Sequence, residues 1–178
     1  MFKKNYLLKI FIVSFVVVSL LGIATAQDSD MIEPLDLASS PLVLEFSTGG
    51  AGPPTIEFLT DGRMTFRVTG IGEVSGAFNG NITARISEVT PNPSPSYHPI
   101  TVMFTVESEQ GMFEGYYAGS FHQMDGADYA DISASGKILS ASGAYADLYL
   151  ADVIVTSEVQ FVDGRSVGES GTITISAR

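Results

Sequence analysis

Two hydrophobic rhythms run along this chain. From Leu7 to Ile23 the apolar residues are nearly continuous; from Leu42 onward they alternate with polar ones. A two-residue period puts successive side chains on opposite faces of an extended strand. Leu42–Phe46 is the first such strand, followed by a Gly/Pro loop at 49–54. Ile56 and Phe58 alternate with Glu57, and Met64, Phe66 and Val68 alternate with Thr65 and Arg67. Asp61-Gly62 between these runs predicts a hairpin, because a type I′ turn needs positive φ. A second hairpin is predicted from GEVSGAF through Asn79-Gly80 into NITARISEV, with Ile82, Ala84 and Ile86 sharing one face.

Residues 91–99 hold four prolines and predict a stiff exposed loop, with His98 inside it. Alternation then resumes at Ile100, Val102, Phe104 and Val106. In the next run Phe113, Gly115, Tyr117, Gly119 and Phe121 share a face. Aromatics alternating with glycines predict a strongly curved strand whose rings fill an interior. Turns follow at Asp125-Gly126 and Asp163-Gly164, and Ile173 and Ile175 close the pattern. After the first segment, a helical period is confined to Ala144–Leu150. Eight to nine short strands predict an all-β fold: a single antiparallel eight-stranded β-barrel, with a β-sandwich as the alternative that uses the same alternation.

The continuous rhythm has another meaning. Lys3, Lys4 and Lys9 surround its start, and it ends in Ala24-Thr25-Ala26. A basic region, an apolar core and a small-x-small site predict a secretory signal peptide over 1–26 and a secreted, extracytoplasmic protein. The apolar run is at the short end for a membrane span, and the polar Gln27–Asp30 after it favours cleavage. No second long apolar run predicts a membrane span in the mature chain. The organisation read from sequence is a signal peptide (1–26), a flexible, polar, proline-bearing arm (27–41) and a β-barrel domain (42–178).

Charge narrows the partners. Losing three lysines and no acids takes the formal net charge from −11 to −14. That balance argues against nucleic acid, which needs a basic face. The chain has no cysteine, so disulfides and thiolate metal sites are excluded. Asn81-Ile82-Thr83 fits a glycosylation sequon in pattern.

Gly72, Val74, Gly76, Phe78 and Gly80 form one spaced motif, and Gly136, Ile138, Gly143, Tyr145 and Ala146 form another. Together they resemble the allene oxide cyclase and dirigent group of eight-stranded barrels, over about residues 55–178. The resemblance implies a barrel that shapes or holds a small molecule. Its matched residues shape turns and carry no catalytic group.

No nucleophile elbow, phosphate loop or zinc-helix motif is present. His122 is expected on an outer face, and Glu73, Glu88, Glu107, Glu114 and Glu158 on solvated polar faces. Asp125, Asp128 and Asp131 surround a glycine and offer carboxylates for a calcium ion, or simply an acidic turn. Phe66, Phe104, Phe113, Tyr117, Phe121 and Phe161 either line an apolar pocket or fill a packed core. The resulting expectation is a non-catalytic barrel binding a small apolar or amphipathic ligand in its mouth. Two alternatives stand beside it. One is a cofactor-independent cyclase or isomerase of allene oxide cyclase type. The other is a structural subunit that self-associates into a filament or surface layer by strand donation.

Overall fold

The computed structural model describes residues 40–90, 97–124, 126–163 and 165–177. The predicted signal peptide and all but the last two residues of the predicted arm lie outside them. Nine strands are present among the described residues: β1 (Leu42–Gly50), β2 (Thr55–Phe58), β3 (Met64–Gly76), β4 (Gly80–Thr90), β5 (Tyr97–Ser108), β6 (Gly111–His122), β7 (Tyr129–Ala141), β8 (Asp152–Val162) and β9 (Arg165–Ser176). A short 3-10 helix, Gly143–Leu148, links β7 to β8.

Each strand from β3 to β9 pairs antiparallel with the next. β1 closes the sheet. It pairs with β9 along one edge (Leu42↔Ile175 to Thr48↔Glu169) and with β3 along the other (Leu44↔Gly76 to Gly50↔Gly70). The result is a closed eight-stranded antiparallel barrel, as the alternation predicts. β2 is the extra strand: it lies beyond the end of β1 and pairs only with the first residues of β3.

The period-2 pattern sorts cleanly. Leu44, Ile82, Val102, Phe104, Val106, Phe113, Val155, Ile173 and Ile175 point inward and are almost wholly buried. Their neighbours in sequence, such as Glu45, Arg85, Glu114 and Glu158, point outward. No helix among the described residues is long and apolar enough to cross a membrane.

Glycines let the sheet roll this tightly. A Cβ on Gly136 would land on the Tyr116 carbonyl of β6, and one on Gly72 would land on the Ser47 carbonyl of β1. A packed strand crossing has no room for either methyl group.

Local expectations are corrected in several places. β3 is one 13-residue strand, not two, because Gly70 and Gly72 are its crossing points with β1, not breaks. Asp61-Gly62 belongs to a longer loop closed by Leu59 N–H donating to Arg63 O at 2.8 Å, with Gly62 at φ +85. The Asn79-Gly80 turn shifts earlier: Gly76 takes the positive φ of +113, and Gly80 opens β4. At Asp163-Gly164 the expectation holds at Asp163, with φ +52. The predicted loop 91–99 ends early, since β5 starts at Tyr97 and carries His98 into the barrel.

Candidate ligand-binding mouth

The two ends of the barrel differ. At one end the 3-10 helix packs Ala144, Tyr145 and Leu148 into the opening, all buried. Tyr145 stacks on Phe78 with ring centroids 4.7 Å apart and meets Phe113 edge-on at 5.5 Å. Its hydroxyl, 2.6 Å from Ser108 Oγ, satisfies the one polar atom of the plug. Phe78 and Tyr145 come one from each of the two sequence motifs, so both motifs meet in this plug. Phe104 and Tyr117 continue the aromatic stack inward.

At the opposite end the sheet continues past the closed ring, as β2 paired with the start of β3. Cross-strand partners share a face, so the Ile56↔Phe66 and Phe66↔Glu88 pairs place Ile56, Phe66 and Glu88 on the inner side. Phe58 follows Ile56 on that side. Yet Ile56 is 53% exposed and Phe58 76%. On the strand beyond the closed ring, these apolar side chains form an exposed lip at its rim. Across the mouth Phe121 meets Phe161 edge-on at 6.0 Å and His98 at 5.8 Å.

Two polar pairs sit inside this end. His98 is buried, and its Nδ1 lies 2.9 Å from Glu88 Oε1. Both residues depart from expectation: His98 is not on an exposed loop, and Glu88 is not on a solvated face. The strand parity that turns Ile82, Ala84 and Ile86 inward carries on to Glu88. It continues through the Glu88↔Ile100 pairing to His98, two residues before Ile100.

Deeper lies Glu169, only 5% exposed, opposite Thr48 on β1 and Val159 on β8. Ser157 Oγ donates to Glu169 Oε1 at 2.7 Å. The Tyr117 hydroxyl also bears on this carboxyl, but Oε2 has no donor in hydrogen-bonding geometry. Burial holds the Glu169 carboxyl above the usual carboxylate range, and the Ser157 and Tyr117 hydroxyls only partly offset it. Burial, and then the charge of Glu169, push the Tyr117 phenol above its usual range. Sequence reading passed over Glu169. The signal was present, because stepping back in twos from Ile175 and Ile173 reaches Gly171 and then Glu169.

The six aromatics singled out from sequence divide in two. Phe104, Phe113 and Tyr117 are packed in the core, each no more than 2% exposed. Phe66, Phe121 and Phe161 are half-buried at the mouth. Of the three aspartates, Asp128 and Asp131 are exposed at the start of β7, and Asp125 lies outside the described residues. No group of three metal-ligating side chains stands together among the described residues. His122 lies on the outer face of β6 and is half-buried. A groove of about 920 Å³ lies beside the plugged end, where Phe46, Val74 and Phe78 line it together with Glu45, Glu73 and the 108–110 turn.

The mouth can therefore do two things chemically. Its apolar lip can cover a hydrocarbon surface. Its buried carboxyl, with one oxygen unfilled, can hydrogen-bond to whatever reaches it. No protein-family model, curated protein or solved structure matches this chain.

Proposed function

We propose that this protein, exported through its signal peptide, binds a small amphipathic molecule at the end of its barrel opposite the plug. One observation carries the reading: Ile56 and Phe58 lie on the sheet face that continues the barrel's inner surface past its rim, and they are exposed at 53% and 76%. Apolar side chains that continue an interior face and are left wet are the lining of a site, since burying them is favourable by about 25 cal/mol per Å². Phe66, Phe121 and Phe161 extend that lining inward.

The test is binding of N-phenyl-1-naphthylamine, a fluorophore that brightens in apolar sites. Ile56→Ser with Phe58→Ser should weaken its binding at least about fivefold, on the scale of two partly buried apolar side chains. Ile154→Ser, an equally exposed position on the outer face of β8, should leave binding unchanged. Equal effects of the two would defeat the reading.

A second reading rests on Glu169 and Tyr117. A buried acid beside a buried phenol also suits a cofactor-independent cyclase or isomerase of allene oxide cyclase type. Turnover of an unsaturated epoxide by the purified protein, lost in Glu169→Gln, would favour it.

A further inference from the structure

We infer that the molecule held in the mouth carries a positively charged amine at one end, and that Glu169 is its counter-ion. The inference rests on the mouth being a binding site and names the chemistry of its occupant.

Glu169 is a carboxyl in an apolar interior with an unfilled oxygen. Buried carboxylates ordinarily sit against a cation or several donors. Here the protein supplies one hydroxyl donor to Oε1, from Ser157, and none in bonding geometry to Oε2. Among the described residues no Lys or Arg is placed inside the barrel beside it. Among the described residues, Arg63, Arg67, Arg85 and Arg165 are exposed, and Lys137 lies on the outer side of β7, paired with Asp152. The imidazole of His98 faces Glu88.

The position of Glu169 below the mouth suits that role. Phe161 and Phe121 lie at the mouth, and Glu169 pairs with Val159, one inward position below Phe161. A ligand whose tail lies on the lip and whose head passes these rings meets Oε2. An ammonium there forms a charge-assisted hydrogen bond in a low-dielectric site. An alcohol makes only a neutral one, and a carboxylate meets repulsion. The net charge of −11 adds long-range attraction for cations.

The experiment is displacement of N-phenyl-1-naphthylamine at neutral pH by four ligands of one chain length: octylamine, octan-1-ol, 2-octanone and octanoate. The expected order is octylamine first, by about tenfold over octan-1-ol, with octanoate last. In Glu169→Gln, which keeps the shape of the side chain, dye binding should persist and the preference for the amine should vanish. Dye binding with equal displacement by all four, or with preference for the ketone or the acid, would overturn the inference and leave the mouth reading standing. A preference for the ketone would identify Glu169 as a proton donor. An amine preference unchanged in Glu169→Gln would overturn the inference as well. Absence of dye binding would remove both readings. If Glu169→Gln does not fold, the ranking by the unaltered protein decides.

Discussion

Ser157 and Glu169 are joined across the β8–β9 pair by a 2.7 Å hydrogen bond inside the barrel. Glu169 faces Val159 directly, and Ser157 faces Gly171. The bond therefore runs diagonally, and the missing side chain at Gly171 leaves room for it. A buried carboxyl with one oxygen lacking a donor is costly to leave half satisfied.

Loss of that donor should be felt. Ser157→Ala removes the hydrogen bond to the buried Oε1 and should cost about 1–3 kcal/mol. The same change in a Glu169→Gln background should cost less, since an amide is easier to bury than a carboxylate. Urea unfolding of the four proteins gives the coupling energy. A coupling near zero would mean that the bond does not form in solution.

The carboxyl should also leave a mark on stability against pH. Its ionisation is shifted upward in the folded state by burial. The folded protein therefore holds this proton over a window where the unfolded chain releases it. Stability from this group is full below the ordinary carboxylate value, about pH 4.3, and is lost as pH rises through the folded value. Glu169→Gln should thus match the unaltered protein in acid and exceed it increasingly toward neutral pH. The slope approaches about 1.4 kcal/mol per pH unit within the window. Thermal melts at a series of pH values check this, and a constant difference at every pH would contradict it.

The plug should be the stiffer end. Tyr145→Phe removes the hydroxyl contact with Ser108 and should cost about 1 kcal/mol. Tyr145→Ala removes the ring that stacks on Phe78 and Phe113 and should cost about 3–5 kcal/mol. Circular dichroism melts would rank the two. Similar costs would mean that the ring is not packed as described.

Glycine substitutions separate roll from turn. Gly136→Ala should lose about 3 kcal/mol or more, because the added methyl group meets the Tyr116 carbonyl. Gly49→Ala has open space around it and should stay within about 0.5 kcal/mol. Expression and melting of the two proteins side by side would settle the contrast.

Most of the barrel was legible because alternation is a local signal. Ile82, Ala84 and Ile86, or Phe113 through Phe121, declare their face without any partner. What sequence hid was continuity. Gly70 and Gly72 look like a break in isolation, and only the approach of β1 gives them their purpose. Polar residues at inward positions were hidden for a related reason. Glu88 read as surface by type, His98 by the prolines around it, and Glu169 drew no notice, while the strand parity of all three says interior. Chemistry and periodicity disagree at these three positions, and the structure follows periodicity. The candidate site is built at that disagreement.

The closure of the barrel through β1 has a consequence for how the chain folds. Leu42 meets Ile175 across the seam, while every other seam in the barrel joins strands that are neighbours in sequence or nearly so. Local hairpins from β3 to β9 can zip one after another, but they yield only a curled sheet with two raw edges. β1 must wait on one side until β9 has been synthesised, and that long-range step is intrinsically slow. Throughout that wait the nascent chain offers unpaired backbone to any passing strand, its own kind included. The last pairing made is thus the one that separates a closed barrel from an aggregate. Mutations along the β1–β9 seam should show first in folding yield, before they show in the properties of the protein that does fold.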